Sequence, residues 1–278
     1  MNHNNVSRTL FIILVMSLTL LASAQEGSND ERTRDAFLVT RPKTASSKPT
    51  PVPTTKSTGK SSTAKSAAEV PLGLGYTLYQ RDANDKAVRV DAAREFREGD
   101  AVRLMVEPNV NGYLYIFHAE NGKDPQMIFP DARLNGGANR VTAHVPYEVP
   151  SRQEADPRFR WFYFDNQAAT ERLYVIVTRQ PLAGVLTSKE LITYCQANAQ
   201  SCPWRPSATA WNQIAANADT PASVSQIIAS GQAETAAEAT AVSRGFGLSV
   251  SAPAPTVVKM NASPKAPMVM MTVELIHK

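Results

Sequence analysis

Residues 94–130, REFREGDAVRLMVEPNVNGYLYIFHAENGKDPQMIFP, decide the fold class. In Ala101–Pro108, Val102, Leu104 and Val106 alternate with other residues at the period of a half-buried strand. Asn111-Gly112 is a pair that accepts the positive φ angles of a tight turn, so a hairpin is expected there. Tyr113–Ala119 is apolar on both of its faces and should therefore lie centrally, covered twice. Asn121-Gly122 turns the chain again, and Gln126–Phe129 returns to a stop at Pro130.

The same grammar extends in both directions. Upstream, Gly75–Arg81 reads as a strand, with a turn at Asn84-Asp85-Lys86 and a strand Ala87–Val90. Downstream, Arg140–His144, Phe159–Phe164 and Glu171–Thr178 are short segments rich in aromatic and β-branched residues, separated by turn-rich loops. Pro146 and Pro150 bracket an extended piece that cannot serve a central ladder, because proline has no N–H to donate. Short strands at this spacing predict a mainly β fold, an antiparallel β-sandwich over residues 71–183.

The period changes at Thr187. Thr187-x-x-Glu190 has the form of a capping box, followed by Leu191, Ile192 and Cys195 at helical spacing. A second helix would carry Trp211, Ile214 and Ala218. A third, opened by Thr220-Pro221, would carry Val224, Ile227 and Ile228 and end at Gly231. Residues 184–231 are thus expected to be an α-helical insert, 232–265 a loose linker, and 266–278 a C-terminal closing strand that returns to the sandwich.

Destination is written at the other end. Arg8 precedes the apolar run Leu10–Leu21, and Ala22-Ser23-Ala24 has the small-x-small form of a signal-peptidase site. The run is shorter than the ~20 residues of a spanning helix. Residues 1–24 therefore read as a cleaved signal peptide, and the mature chain as extracytoplasmic, periplasmic or secreted, with no transmembrane anchor. Residues 25–70 read as a disordered linker, basic and rich in Pro, Ser, Thr and Lys, with Arg41, Lys43, Lys48, Lys56, Lys60 and Lys65 against little counter-charge. That arm either touches an anionic envelope polymer or simply keeps the tether solvated. The whole-chain net charge of +4 is too small to argue for nucleic acid, and none is expected.

Once the strands are placed, an ordered set of residues carries a resemblance. Phe96-x-x-Gly99-Asp100-x-Val102-x-Leu104, Gly112-Tyr113-Leu114-Tyr115-Ile116, Ile128-Phe129-Pro130, Val149-Pro150 and Leu173-Tyr174-Val175-Ile176-Val177 resemble the bacterial domain-of-unknown-function family 4384 over about residues 73–182. The resemblance implies an exported or envelope-associated β module. It brings no catalytic residues to carry over.

The chemistry-bearing residues are few. Cys195 and Cys202 are the two cysteines, and in an exported chain they read as a disulfide closing a small loop, worth ~2 kcal/mol. The spacing is not that of a Cys-x-x-Cys redox pair. His118 and His144, each at a strand end, could meet and with Glu120 or Asp124 form an acid–base or metal site, although no motif supports it. Met260, Met268, Met270 and Met271 could suggest copper, but Met270 and Met271 point to opposite faces of a strand. Asp82, Asn84, Asp85 and Asp91 lack the later Gly and Glu of a calcium loop and read as a turn. Gly73-x-Gly75 is followed by no helix or P-loop lysine. No catalytic, metal or cofactor residues are assigned, and no cofactor is expected. Tyr79, Tyr113, Tyr115 and Tyr163 are the candidates for an interaction surface. The expected function is a non-catalytic module that binds an envelope or secreted protein. The alternatives are a hydrolase built on the strand-end histidines and a structural accessory of an envelope complex.

Overall fold

A computed structural model describes residues 29–44 and 70–278; the expected signal peptide and most of the expected basic linker lie outside the described residues. Two sheets face each other. One runs β11 (Ala222–Gln226), β12 (Val257–Asn261), β1 (Gly73–Arg81), β4 (Ala101–Pro108), β8 (Tyr147–Val149), with β2 (Ala87–Arg89) against β1 and β9 (Phe162–Tyr163) against β4. The other runs β3 (Glu95–Phe96), β13 (Met268–His277), β10 (Ala169–Thr178), β5 (Gly112–Glu120), β6 (Gln126–Phe129), with β7 (Arg140–Val141) against β5. All pairings are antiparallel except β3 with β13. This is the expected sandwich, and its closing strand is where the alternation of Val269, Met271, Val273 and Leu275 places it. β13 pairs along its whole length with β10, from Ala169↔His277 to Thr178↔Met268.

The core between the sheets takes one face of each strand: Leu74, Tyr76 and Leu78 of β1, Val102, Leu104 and Val106 of β4, Leu114 and Ile116 of β5, Val175 and Val177 of β10. The expected hairpin at Asn111-Gly112 does not form. β4 belongs to the first sheet and β5 to the second, so this connection crosses between layers. Gly112 is required for another reason: a Cβ there would lie 2.2 Å from the Thr178 carbonyl oxygen. The turn after β5 is as expected, with Asn121 and Gly122 both at positive φ (51° and 72°) and β5 paired to β6.

Both outer faces are covered, each by different chemistry. The opposite faces of β5 and β10 are apolar, and Tyr115, Phe117 and Ile176 are buried under α2 (Ser188–Ala197) and α3 (Ala208–Ala218), whose Leu191, Ile214 and Ala218 complete a second cluster. The outer face of β1 and β4 carries Thr77, Tyr79, Arg103, Met105 and Glu107, residues that alternation alone would hand to solvent. All are buried. Their cover comes from two stretches expected to be irregular. Residues 29–38, within the expected linker, form helix α1, and residues 232–265, expected to be loose, contain α4 (Ala236–Arg244) and β12. α4 is held by the capping box Thr235–Glu238, whereas the Thr187 side chain makes no capping bond at α2.

The expected third helix over 220–231 is instead strand β11, which continues the sheet through β12. Val224, Ile227 and Ile228 are β-branched and weak helix formers, and a ladder to β12 satisfies backbone groups that an isolated short helix would satisfy less well.

α1 is seated by shape and charge together. Phe37 is fully buried with Val258 and Met260, and it fits because residues 73 and 75 are glycines: a Cβ at either position would approach the Phe37 ring to 3.0 and 3.3 Å. That accounts for Gly73-x-Gly75 without any phosphate. Beyond the helix, Arg41 donates Nε to Glu107 Oε1 at 2.8 Å and Nη2 to Oε2 at 2.7 Å, and donates further to the carbonyls of Ala252 and Pro253. His144 Nδ1 sits 2.7 Å from the same carboxylate, and its Nε2 2.7 Å from Thr40 Oγ1. A parallel group lies along the sheet: Glu238 accepts from Arg89 and from the Tyr79 hydroxyl at 2.9 Å.

Removing one partner of a buried pair strands the other charge, which typically costs about 3–5 kcal/mol. Arg41→Ala is therefore expected to lower unfolding stability by that order, and Lys43→Ala, an exposed neighbour, by less than ~0.5 kcal/mol. Denaturant titration of the two variants checks this. A second expectation concerns alkali. Burial, with Asp91 adding to it, pushes the Tyr76 phenol up to about 12 from an ordinary value of 10.0. The unfolded chain then releases this proton first, so the stability it contributes is intact below pH 10 and is lost as pH rises towards 12, at ~1.4 kcal/mol per pH unit. The phenols of Tyr79, Tyr115 and Tyr147 are raised by burial as well and add to this slope, so unfolding curves at pH 9, 10 and 11 should fall at least this steeply, and Tyr76→Phe should remove its own share of the fall.

Candidate binding groove

Where the two sheets end in β6 and β8, a groove of about 1120 Å³ opens between the sandwich edge, the helical layer and the C-terminal end of α4. Its wall is aromatic, with Tyr147, Phe159, Trp161, Phe162 and Trp204 among the lining residues. Phe159 is 50% exposed, with the guanidinium groups of Arg133 and Arg158 over its ring at 5.6 and 5.8 Å. Arg103 lies 3.9 Å from the centre of the Trp161 ring. An exposed aromatic ring flanked by cations, as Phe159 is, can serve in recognition, whereas Trp161 is half-buried under Arg103.

The wall stands on a buried ionic chain. Arg103 donates to the Arg160 carbonyl at 3.0 Å and faces Glu148 at 3.5 Å, Arg152 donates to Glu148 at 2.6 Å, and Arg152 reaches on to Glu234. Burial lowers Arg103, against the carboxylate of Glu148. Burial also works against the Arg152 charge, but hydrogen bonds to Glu148 and Glu234 outweigh it and leave the guanidinium raised. The Glu234 carboxyl is raised by burial, with Arg152 opposing. Two arginines on the lining differ from these: Arg140 on β7 and Arg244 at the end of α4 are exposed and have no ion partner among the described residues. The rim is therefore left with positive charge available to a ligand.

The helical side of the groove is tied by the Cys195–Cys202 disulfide, which the chain forms as its spacing led one to expect. Both cysteines line the groove, and the Trp204 carbonyl just beyond accepts from the Met127 N–H of β6 at 2.8 Å. The bridge thus fixes a loop that also closes the free edge of a strand.

The other candidates are dispersed. Tyr79 and Tyr115 are fully buried, Tyr79 donating to Glu238 and Tyr115 accepting from the Leu182 N–H at 3.0 Å, so neither belongs to an interaction surface. Tyr113 is half-buried against the helical layer, and Tyr163 alone of the four is exposed, at 46%. Tyrosines on a sheet face are not exposed when other elements cover the outer faces of both sheets.

His118 and His144 do not meet. His144 is buried on Glu107 near the start of β5, whereas His118 lies at the far end of that strand, 2.6 Å from Glu171 and 3.3 Å from Gln126. Glu120 lies opposite Glu171 across the ladder, but neither it nor Asp124 bonds to either imidazole. Among the described residues no group of three or more His, Cys, Asp or Glu side chains is placed to hold a metal ion. Met260 belongs to the Phe37 cluster, Met271 to the core and Met268 to the helical layer, so these sulfur atoms are core filling. Asp82 accepts from the N–H groups of Asn84 and Lys86, which makes the acidic stretch a turn.

Comparison with known families places the groove-bearing segment. Residues 95–181 match the family described as domain of unknown function DUF4384, in agreement with the resemblance drawn from the strand motifs. The matched region runs from β3 to the end of β10, and so includes β6, β8 and the Tyr147, Phe159, Trp161 and Phe162 part of the aromatic wall, but not Trp204, α2, α3 or α4. No curated protein and no solved structure matches the chain.

The groove is not legible in the sequence because its lining comes from three parts of the chain, within residues 127–162, 191–204 and 242–245. One signal was legible: the Thr235-x-x-Glu238 capping-box pattern could have placed α4. Loss of the disulfide in Cys195→Ser/Cys202→Ser should cost about 2 kcal/mol, since a bridge over a short loop removes little unfolded-state entropy. Comparing denaturation midpoints of this variant and the oxidised parent measures it.

Proposed function

We propose that this protein is an exported, non-catalytic binding module of the cell envelope, and that the groove beside β6 and β8 is where it takes its partner. The observation that carries this reading is the pairing of an aromatic wall, half-buried except for the exposed Phe159, with two arginines, Arg140 and Arg244, that no carboxylate of the described chain neutralises. Such a rim favours a protein partner that presents acidic groups. Support for export comes from the Leu10–Leu21 run followed by Ala22-Ser23-Ala24, and from a disulfide of the kind that persists in oxidising compartments. Among the described residues no helix is long and apolar enough to cross a membrane. The basic linker would set the reach of the module or add contact to an anionic polymer.

A non-catalytic role is supported by how the histidines are used. His144 is closed off by Thr40 and Glu107, and the partners of His118 are a carboxylate and an amide rather than a hydroxyl or thiol nucleophile.

The mature chain, residues 25–278, immobilised and exposed to envelope and secreted fractions at low salt, is expected to retain a partner. Arg140→Ala/Arg244→Ala should weaken retention about tenfold, as for the loss of roughly 1.4 kcal/mol of charge pairing, and Phe159→Ala should weaken it as well. His118→Ala should leave it unchanged. Equal retention by the parent and the double-arginine variant, or none by either, refutes the reading.

A further inference from the structure

Strand edges are liabilities unless something blunts them, because unpaired N–H and C=O groups template another strand. Three of the four sheet ends are blunted here. β8 is bracketed by Pro146 and Pro150, the Met127 N–H of β6 is taken by the Trp204 carbonyl, and β3 has two residues with Glu95 bonded to Lys278. β11 is different. Its five residues, Ala-Ser-Val-Ser-Gln, contain no charge and no proline, Val224 is 55% exposed, and nearby Ile228 is 93% exposed.

The ladder shows which of its groups are spare. Ala262 N–H donates to the Pro221 carbonyl and Ile227 N–H to the Thr256 carbonyl, so the odd-numbered residues of this strand turn their backbone groups towards β12. The even-numbered ones turn outward. Of these, Gln226 N–H is taken by Asp30 Oδ1 at 3.0 Å, and Thr220 N–H by the Ala218 carbonyl at 2.9 Å. Between these two occupied donors, Ala222 and Val224 present their N–H and C=O groups with no partner among the described residues.

We propose that β11 pairs with β11 of a second copy of this chain, antiparallel about a two-fold axis through Ser223. In that register Ala222 faces Val224 of the second copy, and Val224 faces its Ala222. Both are hydrogen-bonded pairs, each exchanging two N–H to C=O bonds. Each spare donor and acceptor of Ala222 and Val224 is used. The next pair outward would join residues 220 and 226, whose N–H groups are already occupied, so the ladder ends where the free groups end. Val224 covers Ala222 of the second copy on the same face, and no like charges meet anywhere along it. A two-fold contact must be self-complementary, and this pattern of spare groups is symmetric about Ser223. Pairing would join the two seven-stranded sheets into one continuous sheet.

Sedimentation velocity on the mature full chain over a hundredfold concentration range is expected to show a dimer fraction that rises with concentration. Val224→Pro deletes an N–H that the monomer does not use, and should abolish the dimer while leaving the β12 pairing intact. Since that variant could also disturb the strand, Ser223→Cys provides a second reading. Ser223 faces itself in a non-hydrogen-bonded pair, with Cα atoms about 4.5 Å apart, close enough for a disulfide. Ser223→Cys should therefore cross-link to a covalent dimer on mild oxidation, and Ser230→Cys, outside the strand, should not. A monomer at every concentration with no cross-link overturns the proposal. So does slow hydrogen exchange at Ala222 and Val224 in a dilute monomer, which would mean that another part of the chain already covers the edge.

Discussion

Glu107 carries a charge into a place with no water. It projects from β4 on the outer side of the first sheet, where its side chain is 1% exposed, and an unpaired carboxylate there would be costly enough to undo much of the stability of a domain. The chain answers from three directions: Arg41 from beyond α1, His144 from the loop before β8, and the 249–253 stretch, whose carbonyls hold the other side of the Arg41 guanidinium. Satisfying one side chain thus draws in segments more than two hundred residues apart in sequence. Glu238 with Arg89 and Glu148 with Arg103 and Arg152 repeat the device along the same sheet face.

This gives the two sheets different outer skins. The second sheet offers tyrosines, a phenylalanine and an isoleucine, and helices with an ordinary apolar stripe settle on them. The first sheet offers charges, and its cover must be made of matching charges and carbonyls placed to the ångström. An apolar skin tolerates changes of register in what covers it, whereas a guanidinium fork on a carboxylate does not. The groove lies where the two regimes meet, and its aromatic wall is positioned by the last of the ionic chains.

On the proposed reading of the groove as a binding site, that junction divides its charges into two sets. The Arg103 charge is spent on Glu148 and on the Trp161 face, and the Arg152 charge on Glu148 and Glu234, so they make the wall rigid. Arg140 and Arg244 lie on the same groove with no such commitment. Rigid support behind, with free charge in front, is the division of labour that preorganised binding sites require.

Local pattern in the sequence was enough for the sandwich itself. The alternation of Val102, Leu104 and Val106, the doubly apolar Tyr113–Ala119, the closing strand and the Cys195–Cys202 bridge all follow from side-chain period and residue chemistry, which act over a few positions. What local pattern could not decide was which sheet a strand joined and what lay over it. Asn111-Gly112 has the composition of a hairpin but spans the layers, because β4 pairs with β1 in one sheet and β5 with β10 in the other, from Gln80↔Val102 to Tyr113↔Thr178. Tyr79 and Glu107 look like solvent-facing residues and are buried, because Glu238 of α4 pairs with the first and Arg41, just beyond α1, and His144 pair with the second. Residues 220–231 carry a helix's opening and stop signals, Thr220-Pro221 and Gly231, yet form a strand where β12 offers a ladder. Backbone period is a property of neighbours in sequence. Burial and charge pairing are properties of neighbours in space, and only the folded chain brings those together.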